Sequence, residues 1–406
     1  LYPDVDFYSK EFVKPLINTF NVITEFSGGN EKSQYYVNAG WNREESWENI
    51  SPDANKGRNR FNVRGNIDFK VNDWITSSLD GIAILDSNKS AFSSLLNAGT
   101  SFRPNDYAPL LPISLLDVNA RPGSNLIDIL GAAQSFDGFL LGGTQQFQNN
   151  TPVAEAIAGG TQENIFRVTQ FNNTINFDLS MIAEGLTAKT YLSFDFFDSF
   201  REFVQNDYIV YEPEWENDKI VGLTEFGVNE RDQIERVSTN DFVSRLAFYG
   251  LLNYKKTFAQ NHSINSTLLA YYNTQKSNNV LQTDKDAHIG FQATYDFKKK
   301  FFADFSGAYV HSIKLPEGNR GGFSPTVGLA YILSEEPFLK DNKFINYLKV
   351  KATGGIIKSD AGIDGYFLYQ ENFTRGSTFT WDDDRSSNRR QNITQGANPN
   401  TTYEDR

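Results

Sequence analysis

AHIGFQATYDFKKKFFADFSGAYV (residues 287–310) decides how the rest of the chain is read. Ala287, Ile289, Phe291, Ala293, Tyr295 and Phe297 share one face of an extended chain, and His288, Gln292, Thr294 and Asp296 share the other. Lys298, Lys299 and Lys300 form a turn. Phe301, Ala303, Phe305, Gly307 and Tyr309 then resume the apolar row, against Asp304 and Ser306. Keeping both rows on one side requires Phe297 opposite Phe301. That register puts His288 opposite Val310, with His311 on the far face, so the two histidines share no metal site. Each run is as long as the roughly 9–11 residues a tilted membrane strand needs. The fold therefore turns on whether such apolar rows meet a soluble core or lipid.

Composition narrows the choice. The 406 residues are enough for a large core or for two or three ordinary domains. Cysteine is absent, which excludes disulfides, thiolate metal sites and cysteine nucleophiles. There are 34 Phe and 19 Tyr, many for a globular enzyme, and a net charge of −12, the wrong sign for a nucleic-acid binder. No run of about 18 apolar residues predicts a transmembrane helix. Alternating strands need no such run, so a barrel stays open. Leu1-Tyr2-Pro3 does not open a signal peptide, so the chain reads as a mature product, a fragment or a cytoplasmic protein.

The same period of two recurs along the chain. Residues 60–70 are its cleanest instance: Phe61, Val63, Gly65, Ile67 and Phe69 face one way, Asn62, Arg64, Asn66, Asp68 and Lys70 the other. Similar runs cover residues 20–27, 33–45, 74–85, 166–179, 186–205, 235–254, 262–275, 323–333 and 348–357, with a further strand expected at 365–373. Residues 1–19 read as a lead-in with a short amphipathic helix. Residues 86–165 break the rhythm and read as a long inserted loop, with a short helix at 125–133. Connections alternate between short (near residues 29, 72, 184, 258 and 299) and long (near 51, 125, 220, 280 and 318), the asymmetry of an outer-membrane barrel. Several strands exceed the 5–6 residues usual in globular sheets.

FNVITEFSGGNEKSQYYVNAGWNRE (20–44) and NRFNVRGNIDFKVNDWI (59–75) resemble the SusC/RagA family of TonB-dependent outer-membrane transporters. There a strand ending in Ser-Gly-Gly, a charged turn and an aromatic strand precede a strand built as Arg-x-x-x-Arg-x-Asn-x-Asp, matched here by Arg60, Arg64, Asn66 and Asp68. Tyr2-Pro3-Asp4-Val5-Asp6-Phe7 is similar to the family's segment before these strands. GGFSPTVGLAYILSEEPFLKDNKFINYLKVKATGG (321–355) is similar to its aromatic-Pro-Ser strand, Ser-Glu-Glu turn and Leu-Lys strand, and Asn398-Pro399-Asn400 with Tyr403-Glu404 to its Asn-Pro element. The matches run end to end in the family's order. Thr326 stands where Ser is usual, and Val310-His311-Ser312 replaces an Arg-x-Asp-Gly-Ser ending.

The resemblance implies an all-β chain: part of an antiparallel transmembrane β-barrel, about 14 strands of a larger barrel, in the bacterial outer membrane. Residues 1–19 lead into the barrel portion at 20–406. By the same resemblance the family's plug and TonB-contacting region precede such a segment and further strands follow. The implied function is import of a glycan or peptide with a SusD-like surface lipoprotein, driven through TonB and without chemistry by the barrel. A secreted all-β binding protein or adhesin is the competing reading. Its mark is an apolar face covered by a second sheet.

Candidate site residues follow from the pattern. Tyr107, Phe136, Phe139, Phe147, Trp215 and Trp381 lie in long connections, where aromatic faces stack on sugars or peptides, or else anchor the loops to one another. Arg60, Arg64, Asp68 and Lys70 are expected to face a wet lumen as a charge-balanced wall. No catalytic site is expected: the carboxylates of residues 195–198 and Glu225 with Glu235 make no acid–base pair, and no glycine pair opens a phosphate loop. No cofactor is expected. Asp382, Asp383 and Asp384 with Asp360 and Asp364 are weighed as a structural calcium site against a solvated acidic loop, lacking the spacing of a known calcium loop.

Overall fold

The computed structural model describes residues 5–50, 55–95, 107–121, 126–133, 135–148, 151–230, 235–278, 282–340, 343–381 and 386–406. Its strands are, in order, β1 (Thr19–Gly29), β2 (Ser33–Glu44), β3 (Gly57–Lys70), β4 (Ile75–Ala91), β5 (Leu110–Pro112), β6 (Ser135–Phe136), β7 (Phe139–Leu141) and β8 (Gly160–Asp178). There follow β9 (Leu186–Gln205), β10 (Val210–Glu216), β11 (Lys219–Phe226), β12 (Arg236–Phe258), β13 (His262–Ser277), β14 (Asp284–Phe297) and β15 (Phe301–His311). The last are β16 (Gly321–Ile332), β17 (Lys349–Gly355), β18 (Lys358–Ser359), β19 (Asn372–Trp381), β20 (Ser386–Gln395) and β21 (Glu404–Asp405).

Twelve of these form one sheet in the order β1-β2-β3-β4-β8-β9-β12-β13-β14-β15-β16-β17. Every neighbour in it is antiparallel and next in the chain once the loop strands are set aside, the meander of an up-and-down barrel. Twelve strands replace the expected fourteen. The sheet is open, with β1 and β17 each paired on one side only. Hydrocarbon does not tolerate such unpaired edges.

The hairpin of residues 287–310 has the register its alternation demanded: Phe297 pairs with Phe301 and His288 with Val310. Lys298 and Lys299 close it at φ 54° and 55°, so a left-handed pair makes the tight turn. Asp296 steadies the turn by accepting from the Lys299 N–H at 3.3 Å.

The apolar rows of the sheet are uncovered. Phe61, Phe291, Phe305, Tyr309, Phe323 and Leu329 all lie exposed on the same face. The two buried clusters lie elsewhere, built from connections: Phe12, Ile50, Leu110, Leu141, Val153 and Val210 in one, Leu111, Leu126, Leu140 and Ile220 in the other. A sandwich would bury the sheet's own apolar face. Here an extended aromatic face is left to lipid, which excludes the soluble reading.

β8, β9 and β12 have 19, 20 and 23 residues, about twice a membrane span, so they project beyond the bilayer at the long-loop, extracellular end. Arg167 and Asp198 lie on the outward face of that projecting part. Arg167 grips Asp198 by two hydrogen bonds of 3.0 and 2.7 Å, and its guanidinium covers the Phe200 ring at 4.8 Å. A paired charge there marks the upper limit of the apolar band.

Three local expectations change. The lead-in residues form turns and a bridge between Val13 and Glu48 rather than an amphipathic helix, because Phe12 is fully buried in the loop cluster. The strand expected at 365–373 is displaced to β19, with Phe367 at φ 61° breaking the earlier stretch. The acidic connection near residue 220 contains the hairpin β10-β11. The β4–β8 connection spans residues 92–159 and includes the helices Leu126–Ala132 and Pro152–Ala158.

Candidate functional site

Two surfaces can meet a solute: the polar face of the sheet and the layer of extracellular connections. The polar face is ordered by register. In β3, Arg60, Arg64, Asp68 and Lys70 all lie opposite Phe61, Val63 and Ile67, on the side away from lipid. Arg58 donates to Asp86 through Nε at 2.8 Å, and Arg60 approaches the same carboxylate at 3.9 Å. Lys70 pairs with Asp73 at 2.7 Å in the β3–β4 turn and holds the Asp73 carboxyl below the usual carboxylate range. On β1 and β2, Tyr36 and Asn38 donate to Glu25 at 2.9 and 3.1 Å. Arg60 and Lys70 thus each have a carboxylate beside them, as a wet, charge-balanced wall requires.

The register also builds a feature that alternation in single strands does not reveal. Tyr191 pairs with Tyr249, Tyr249 with Tyr271, and Tyr271 with His288. All four lie on the lumenal face of β9, β12, β13 and β14. Tyr191 and Tyr249 stack at 4.8 Å and 16°, and Tyr271 and His288 at 4.6 Å and 27°. The Tyr191 hydroxyl donates to Asn172 at 2.8 Å.

The extracellular layer is a folded unit. The β4–β8 and β9–β12 connections are joined by parallel bridges, Leu116 to Ile220 and Gly142 to Tyr211. At Gly142 a Cβ would stand 1.6 Å from the Ala108 carbonyl oxygen, so only glycine allows that approach. Glu48, buried, accepts from the Ser94 hydroxyl at 3.0 Å and the Leu95 N–H at 2.9 Å, tying the β2–β3 connection to the same unit. Arg121 donates to Glu214 at 2.6 Å across the two connections. Burial pushes the Tyr208 and Tyr211 phenols up to about 12 and raises the Glu155 carboxyl.

Of the two roles the sequence left open for the loop aromatics, platform or anchor, their packing matches the anchor. Tyr107 is buried, with its ring 5.4 Å from Phe147. Phe136 and Phe139 pack against the first cluster, Phe136 lying 5.7 Å from Phe12. Trp215 packs against the second, with its Nε1 enclosed. They are anchors because a layer of connections has no other apolar material from which to make a core. Trp381 ends β19, and its side chain lies outside the described residues, as do Asp382, Asp383 and Asp384 altogether. Of the remaining acids, Asp360 accepts from the Ser312 hydroxyl at 2.6 Å.

No family model matches the chain. The TonB-dependent receptor P39 of Formosa agariphila is 27% identical over 381 residues, covering 86% of this chain and 32% of that protein. The RagAB peptide transporter superposes with a TM-score of 0.53 at 15% identity, over 98% of this chain and 42% of that one. The chain has the barrel fold of that transporter. The RagAB peptide importer in its closed-closed state gives 0.52 at 16% identity, over 95% of this chain and 41% of its own. The chain thus spans well under half the length of the proteins it matches. The uncovered sheet belongs in the bacterial outer membrane, and the named relatives are receptors and importers rather than enzymes.

Proposed function

We propose that this chain supplies barrel wall and extracellular loops to a TonB-dependent outer-membrane importer of glycans or peptides, working with a SusD-like surface lipoprotein. The observation that carries the reading is the two-faced twelve-strand sheet. Its aromatic side faces lipid, its ion-paired side faces water, and the two buried cores among the described residues lie in the layer of connections. Transport needs no catalytic group. It needs a wet wall past which a solute moves and a rigid rim on which a partner delivers it. The similarity to a TonB-dependent receptor supports energisation through TonB, and the sequence resemblance to the SusC/RagA family supports a lipoprotein partner at the rim. Uptake of radiolabelled oligosaccharide and peptide pools tests the proposal, in cells carrying the whole transporter with TonB intact or deleted. Uptake that depends on both the transporter and TonB is expected. Uptake unchanged by TonB deletion overturns the reading.

A further inference from the structure

The lipid-facing side of the sheet carries three neighbouring cations at its extracellular end. Lys276 on β13, Lys285 on β14 and His311 on β15 are all exposed. Each has the parity of an outward residue: Lys276 follows Tyr272 by four positions, Lys285 precedes Ile289 by four, and His311 follows Tyr309 by two. Lys285 is paired with Thr274, and His311 with Ala287. Lys276 and His311 are therefore both diagonal neighbours of Lys285, roughly 7–8 Å away across the ladder. Long side chains at that spacing can converge on one anion.

The three also stand at one height. Lys276 lies 14 residues from the short-turn end of β13, Lys285 lies 12 from that of β14, and His311 lies 10 from that of β15. Ladders in this sheet climb toward the later strand. Gly29 pairs with Gln34, Lys70 with Thr76 and Leu186 with Tyr254, each partner lying further from its own short-turn end. A strand tilt of some 35–45° makes that climb about one residue per strand. It brings the three cations within about two residues of one level. Crossing the hydrocarbon takes roughly 9–11 residues, so the row sits just above it, at the depth of the outer-leaflet headgroups. Directly beneath, Tyr272, Ile289 and Tyr309 are exposed toward the acyl chains, as an aromatic girdle is.

Among the described residues, no ion pair or hydrogen bond engages these three side chains. The nearby carboxylates of Asp284 and Asp286 alternate onto the lumenal face. There Asp284 accepts from the Tyr366 hydroxyl, and Asp286 stands 3.5 Å from His288. At the corresponding end of β8 and β9, by contrast, the outward Arg167 is held by Asp198. The uncompensated row thus belongs to β13–β15, in a chain whose net charge is −12. The anion present at that depth is a lipid phosphate, and only a lipid would also cover the apolar residues below.

We propose that Lys276, Lys285 and His311 seat the phosphate headgroup of an outer-leaflet lipid, whose acyl chains lie over Tyr272, Ile289 and Tyr309. The seat depends on the membrane placement of the sheet and not on any transported solute. Native mass spectrometry of the purified whole transporter tests it, titrating dimyristoyl phosphatidic acid against dimyristoyl phosphatidylcholine. Phosphatidic acid should bind at least tenfold more tightly. A lysine beside an anionic headgroup contributes about fivefold, so Lys276→Gln/Lys285→Gln should weaken that binding at least tenfold. Lys276→Arg/Lys285→Arg should keep it within about threefold. Lys298→Gln/Lys299→Gln removes the same charge at the opposite end of the barrel and should leave it within about twofold. Heat-modifiable migration confirms that each variant is a folded barrel. Inorganic phosphate at 1 mM should not displace the lipid. Equal binding of the two lipids, equal loss in the two glutamine pairs, or displacement by inorganic phosphate each overturns the seat.

Discussion

Phe12→Ala should release the extracellular layer while leaving the barrel intact. Phe12 has 0% exposure. Its ring lies 5.4 Å from Phe7 and 5.7 Å from Phe136, in a cluster that also contains Ile50, Leu95 and Val210. The cluster therefore joins the lead-in segment to three separate connections. Removing a buried phenylalanine costs about 3–5 kcal/mol in lost transfer and cavity energy. None of that loss falls on the twelve-strand sheet, whose ladders do not involve the cluster. At about 1.4 kcal/mol per tenfold, the open form of the layer should rise by roughly 100- to 3,000-fold. Limited proteolysis of the folded transporter reads this directly when opening and closing outpace cleavage. Cuts within residues 107–121 and 151–159 should accelerate, while heat-modifiable migration stays unchanged. Leu16→Ala is the control: Leu16 is 81% exposed, and its truncation should shift stability by no more than about 0.5 kcal/mol. Unchanged loop cleavage in Phe12→Ala, or loss of the folded barrel, would refute the separation of loop core from membrane wall.

Two further outcomes follow from the same geometry. Phe305→Lys puts a charge on the lipid face at a cost of roughly 2–4 kcal/mol near the bilayer centre, whereas its neighbour Ser306→Lys points into the wet lumen. Outer-membrane assembly should fall for the first and hold for the second, and equal yields would mean that the faces are assigned wrongly. Tyr208 and Tyr211 have phenols raised to about 12 from an ordinary 10, so the folded layer favours their neutral form. The stability this gives is present below about pH 10 and is lost as pH rises toward 12. Loop proteolysis should increase over that window and stay flat in Tyr208→Phe/Tyr211→Phe; a flat wild-type profile counts against it.

Alternation alone determined the twelve strands of the large sheet, the three-lysine turn with Phe297 opposite Phe301, the opposite facing of His288 and His311, and the polar grouping of Arg60, Arg64, Asp68 and Lys70. A period of two is a local property, so it can be read without knowing what any strand pairs with. It left open whether Tyr107, Phe136 and Trp215 are loop anchors or exposed platforms. Their burial depends on connections more than fifty residues apart meeting at one end of the sheet. Nor could it find the row from Tyr191 to His288, because each member is an ordinary inward residue of its own strand. Only the inter-strand register, fixed by turn lengths and by the demand that every apolar row face lipid, brings the four into line. The choice between core and lipid was likewise tertiary. The same aromatic rows suit either, and what decides is that none of the described residues covers them.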